Sequence, residues 1–197
     1  MPFAPPRLHE RVDVEGHIQR LPPGAACKGM FFQALLELAA GKGTPSDIAR
    51  AAGVEDRRYA AFRDYPMRDN LRLTVEIAGR LYPRMPLGEA LMHIGKTSFS
   101  TFLASHLGRV LVLAVGDAVG PVLGLAPRAY PLVMNFGSIV VEKDEPGRVV
   151  TLCRDFPGFI ETYQVGTVYG VLEHFKVAGK VRTAMTDIAN GRIEITW

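Results

Sequence analysis

Only two cysteines, Cys27 and Cys153, occur in 197 residues, and they lie far apart. That pair excludes a disulfide framework or a thiolate zinc site, and a reducing cytoplasm is the compartment it favours. Charge of one sign is also scarce: 23 Lys and Arg against 20 Asp and Glu leave a net charge of +3. So small an excess gives no footprint for nucleic acid or for an anionic membrane. A long uninterrupted apolar run is missing too. The longest, VLVLAVGDAVGPVLGLA, is broken by Asp117, several glycines and Pro121, and it reads as a buried helix and turn, with no membrane span. The opening MPFAPPRLHERVDVEG lacks the apolar core of a signal peptide. With 48% hydrophobic and 22% charged residues, the remainder reads as one globular domain.

Prolines 2, 5, 6, 22 and 23 mark residues 1–24 as an arm, in which RVDVEGHIQRL reads as a short extended segment. The arm either packs on its own domain or reaches another subunit. Residues 25–197 form the single domain, with a helical lobe over 25–131 and an α+β lobe over 132–197. Helical spacing of Met30, Phe31, Ala34, Leu35 and Leu38 predicts a helix over 26–40. Thr44-Pro45-Ser46-Asp47 starts another, and DRRYAAFRDYP reads as a third. Further helices follow over 68–82, over 86–108 with a bend at Gly95, and over 109–120, with Pro121, Pro127 and Pro131 breaking what comes next. Two strands flank Asp144-Glu145-Pro146-Gly147. The chain then closes on a helix over 166–178, whose face carries Val168, Val171, Leu172 and Phe175. Two strands joined at Asn190-Gly191 end it. The fold class is α+β, a helical lobe packed on a small antiparallel sheet with one covering helix.

No motif carries chemistry. TPSDIARAAGVEDRRYAAF has the outline of a helix-turn-helix with Arg57, Arg58 and Arg63 facing DNA, but its aromatic pair Tyr59 and Phe62 is out of register, and a plain helix pair is the simpler reading. His9, His17, His93, His106 and His174 show no metal-ligand spacing. GKTS at 95–98 lacks the upstream glycine of a phosphate loop. Arg154, Asp155 and Glu161 read as structural ion pairing, and Cys153 reads as strand packing. No catalytic residue and no metal ligand is assigned, so the chain is expected not to be an enzyme.

Three stretches carry a resemblance: RLYPRMPLGEALMHIGKTSFSTFLASHLGR, RAYP, and RDFPGFIETYQVGTVYGVLEHF. They resemble a family of roughly 200-residue proteins of unknown function, expanded in myxobacteria, and the likeness runs from Gly29 onward. That family is in turn similar in layout to the haem nitric-oxide/oxygen-binding (H-NOX) domain, down to a terminal Trp197. The resemblance implies a proximal histidine on the helix before the strands, yet GPVLGLAPRAY contains none. It also implies a Tyr, Ser and Arg clamp near VVTLCRDFPGF, where only Arg154 remains. The expectation is therefore a haem-less relative with no cofactor. Its cavity between the lobes would be lined by Phe99, Phe102, Leu103, Leu111, Val115 and Leu123, and would take a fatty-acid-like molecule whose carboxylate meets Arg128, Tyr130 or Arg154. Such a domain would signal to a protein partner, and a homodimer is compatible with it. The alternatives are an interaction module with a filled core, a haem-based gas sensor using His93 or His106, and a DNA-binding regulator.

Overall fold

Side-chain caps and aromatic contacts decide where the helical half starts and stops. The computed structural model describes residues 1–104, 108–110 and 118–197. Asp13 accepts the Gly16 N–H at 3.0 Å and starts α1 (Val14–Gln19). The stretch expected to be extended is thus a helix, because a local cap outweighs a short alternation without a full strand partner. Strand β1 (Ala26–Lys28) pairs antiparallel with β2 (Asp64–Pro66) and delays α2 (Gly29–Leu38) by three residues relative to the expected start. Helix α3 (Pro45–Ala52) begins as expected, with Thr44 Oγ1 accepting the Asp47 N–H.

Residues 54–63 form no helix, which removes both the helix-turn-helix and the simpler helix pair. Tyr59 stacks on Phe32 at 4.3 Å, and the Tyr65 hydroxyl accepts the Ala60 N–H at 2.8 Å. These contacts hold the segment open. Helices α4 (Met67–Leu81) and α5 (Leu87–Ala104) follow, and α5 is one helix through Gly95. The helix expected over 109–120, with Leu111 and Val115, lies mostly outside the described residues, as does His106. Pro121 and Pro131 sit inside α6 (Val119–Gly124) and α7 (Ala126–Val133), where breaks were expected.

The sheet is antiparallel with strand order β3-β4-β6-β5, formed by β3 (Ser138–Glu145), β4 (Arg148–Arg154), β5 (Lys180–Asp187) and β6 (Asn190–Thr196). Pro146-Gly147 makes the first turn as expected, with Gly147 at φ 74°. The second turn is Ile188-Ala189, and Asn190-Gly191 already belongs to β6. Asp187 is the reason: its carboxylate accepts the Ala189 N–H at 2.8 Å and the Asn190 side-chain amide at 3.0 Å, an Asx turn that closes two residues early. Helix α8 (Val165–His174) covers the sheet, entered through a π-helical turn, Ile160–Gln164.

Among the described residues two hydrophobic cores result. One gathers Phe32, Leu35, Leu71, Leu73, Ile77, Leu91 and Ile94 from α2, α4 and α5. The other joins α8 and the inner face of the sheet to Phe99 of α5 and to α6 and α7. Helices α5 and α8 bind the two cores together by crossing backbone to backbone. A Cβ added at Gly95 would lie 1.9 Å from the Tyr163 carbonyl oxygen, at Gly166 2.0 Å from that of Met92, and at Gly170 2.4 Å from that of Lys96. The glycines on this crossing serve close approach, and Gly95 does not interrupt α5. Lys96 pairs with Glu173 along the same seam.

Candidate functional site

The second core leaves a space of about 190 Å³. Its floor is the inner face of the sheet, where Thr151, Cys153, Ile193 and Ile195 alternate with outward residues on β4 and β6, and Ile139 comes from β3. Val168 and Val171 of α8 and Phe99 and Phe102 of α5 form its walls, and Val122, Leu123, Leu125, Ala126 and Ala129 of α6 and α7 roof it. The polar groups among the described lining are neutral: Thr151, Cys153, Gln164 and Thr167. Thr167 is spent on the helix crossing, donating to the Tyr163 and Gly95 carbonyls at 3.1 and 3.3 Å. Burial pushes the Cys153 thiol up to about 12, so it remains a neutral thiol.

The structure brings together Phe99, Phe102 and Leu123 as expected residues of the lining, and Leu103 packs against the same core. Leu111 and Val115 fall outside the described residues. Tyr130 is buried in this core, 4.9 Å from the Phe156 ring, but it does not line the space. Its hydroxyl has no hydrogen-bond partner among the described residues, and burial pushes its pKa up. Arg128 and Arg154 are exposed and outside the lining, Arg128 on the outer side of α7 and Arg154 at the solvent end of β4. The floor residues and the α8 wall were missed as site residues. Their signal was present in the odd-numbered alternation of β4 and β6 and in the Val168, Val171 face.

The 190 Å³ space thus lies between residues 99–129 of the helical lobe and residues 139–195 of the α+β lobe. Two further spaces of about 20 Å³ lie where α2, α4 and α5 meet Tyr163, each of a size to hold one water. Beside them Ser98 Oγ and Tyr163 Oη lie 2.5 Å apart, and burial pushes the Tyr163 hydroxyl up to about 12. The residues around the 190 Å³ space do not fit a haem. Among those described, no histidine lines it, its one thiol is protonated, and no cation reaches it. His93 stacks instead on Tyr82 at 5.2 Å, and among the described residues no cluster of metal-binding side chains forms. None of the described helices is long and apolar enough to cross a membrane.

A sequence model of a family described as protein of unknown function (DUF2378) matches residues 20–197. No curated protein matches. Among solved structures, an H-NOX protein from S. oneidensis in the Fe(II)NO ligation state is similar with a TM-score of 0.68 at 15% identity, covering 85% of this chain and 97% of its own. The Fe(II) unliganded H-NOX protein from K. algicida gives 0.65 at 16% identity, with 86% and 95% covered. At this identity the likeness is one of fold, and it extends over both lobes.

Proposed function

We propose a sensor or adaptor domain without haem, from the premise that the chain belongs to the DUF2378 family and has the H-NOX fold. It takes a small apolar molecule into the space under α6 and α7 and passes the change to a protein partner. The observation that carries this reading is an apolar space of about 190 Å³ in the second core. An apolar cavity of about 150 Å³ is large enough to bind benzene, so this one suits an aromatic ring or a short aliphatic chain. Each 100 Å² of ligand surface removed from water contributes about 2.5 kcal/mol. A fatty-acid-like ligand would enter by its tail, leaving its carboxylate outside the apolar lining. The same reading assigns no catalytic step and places the domain in the cytoplasm, as a monomer or a homodimer.

Native mass spectrometry of gently purified protein tests the proposal, together with thermal melts in the presence of C4 to C10 carboxylates and alkylbenzenes. The expected result is a bound small molecule or a raised Tm, lost when Ala129→Phe fills the space. If nothing is extracted and no probe raises Tm, the core is a filled interaction module and the ligand reading fails. A Soret band on adding haem would overturn its haem-less part.

A further inference from the structure

Beside β5, residues 1–13 lie over an open groove of about 610 Å³ whose other wall is formed by residues 183–188 and the π-helical turn. Ala4 pairs antiparallel with Thr183, exchanging hydrogen bonds of 2.9 and 2.8 Å. In that register the next hydrogen-bonding positions on β5 are Met185 and Val181, and the arm places Pro2 and Pro6 opposite them. Proline has no N–H to give, so the arm is limited to one bridge on an edge that has room for three. The family match begins at residue 20. The β5 edge and the wall formed by residues 159–162 and 183–188 therefore belong to the family domain, whereas the arm that covers them and completes the groove does not.

The groove also carries chemistry that the arm meets only in part. Glu161 is held by Arg7 of the arm at 2.8 Å and by the Thr183 hydroxyl at 3.2 Å. Without Arg7, a half-buried carboxylate faces the groove with a single neutral donor. Thr162, 6% exposed, lines the groove, and its hydroxyl has no hydrogen-bond partner among the described residues.

We infer that the β5 edge is a docking site for an extended basic peptide segment of a partner protein, which adds as a further strand and displaces the arm. The arm acts as a weak internal occupant. A segment with N–H groups at the two proline positions gains hydrogen bonds the arm cannot make, and a basic residue three places after the bridging residue replaces Arg7 on Glu161. The inference does not depend on whether the apolar space is occupied.

The probe is a labelled synthetic peptide of residues 1–10 carrying Pro2→Val and Pro6→Val, titrated by fluorescence anisotropy into the full chain. An arm-released full chain, Ala4→Pro with Arg7→Ala, is expected to bind it at least tenfold more tightly than the unaltered chain. Adding Glu161→Gln is expected to reverse at least fivefold of that gain. Hydrogen exchange on the unaltered chain keeps the test independent of variant folding: saturating peptide should slow exchange at the Met185 amide. Equal affinity for both chains, or no protection along β5, overturns the inference. A dimer of the unaltered chain that the peptide converts to monomer would assign the edge to the arm of a second copy and likewise overturn it.

Discussion

Replacing Gly166 with alanine drives a methyl group into the backbone of α5. The added Cβ would sit 2.0 Å from the Met92 carbonyl oxygen, 2.8 Å from its carbon and 3.0 Å from the Lys96 nitrogen. All three atoms are main chain, so no side-chain end can swing aside. Ordinary contact lies near ~3.5 Å, and α8 would have to retreat by about 1.5 Å. That movement would also stretch the Thr167 hydrogen bond to Gly95, now 3.3 Å. Overpacking costs about 1–3 kcal/mol, and a backbone obstacle puts this case near the top of that range. The helix propensity gained on leaving glycine offsets about 1 kcal/mol, for a net loss of about 2 kcal/mol. In a chain of this size each kcal/mol moves Tm by about 2–4 °C, so a fall of about 4–8 °C is expected by calorimetry. Gly79, exposed in α4 with nothing within 4 Å of an added Cβ, is the control. Gly79→Ala should raise Tm by about 2–4 °C. If both variants shift Tm in the same direction, the crossing is not set by close backbone approach and the reasoning is refuted.

Glu194 is almost covered by Arg148 and Arg182, which approach its two oxygens at 2.9 and 2.6 Å. Burial raises its pKa, but the two arginine hydrogen bonds outweigh this and leave it below the ordinary 4.5. Its contribution is therefore full above pH 4.5 and lost as pH falls through the lowered value. Glu194→Gln should cost about 1–3 kcal/mol at neutral pH and show a smaller further loss in acid, measured by urea unfolding across that range. His17 is buried with its ring 4.6 Å from Phe159, and burial holds its pKa below 6.5, more than the Pro157 carbonyl raises it. The native state resists protonation, so stability is full above pH 6.5 and declines as pH falls toward the lowered native value. His17→Gln should flatten the stability slope below pH 6.5, and an unchanged slope would assign the decline to other groups. Thr44→Ala removes the cap of α3 and should cost about 1 kcal/mol by denaturant midpoint, with Thr44→Ser close to neutral.

Much of the fold was legible because it is written in local signals. Thr44-Pro45 starts a helix and Pro146-Gly147 turns a hairpin wherever they stand, and the apolar faces of α4 and α8 need only their own periodicity. The misreadings arose where a single side-chain hydrogen bond overrides the propensity of the segment around it. Asp187 moves the last turn forward, Asp13 makes a helix in the arm, and Tyr65, five residues on, holds Ala60 out of one. The site was half legible. Phe99, Phe102 and Leu123 were found as apolar residues on helices, whereas the sheet floor needed the strands to be assembled before its alternation had a direction.

By itself the sequence determined the α+β class, the order of most elements, the terminal hairpin and the absence of a histidine in GPVLGLAPRAY. Composition and local pattern suffice for these, since each depends on neighbours within a few residues. Tertiary structure alone decided which strand and helix residues face the space, and it set that space between the inner face of the sheet, α8 and the roof of α6 and α7. Three glycines on α5 and α8 are the physical reason: with no Cβ between them the backbones meet, and the room that remains is the room the sheet and α8 do not fill.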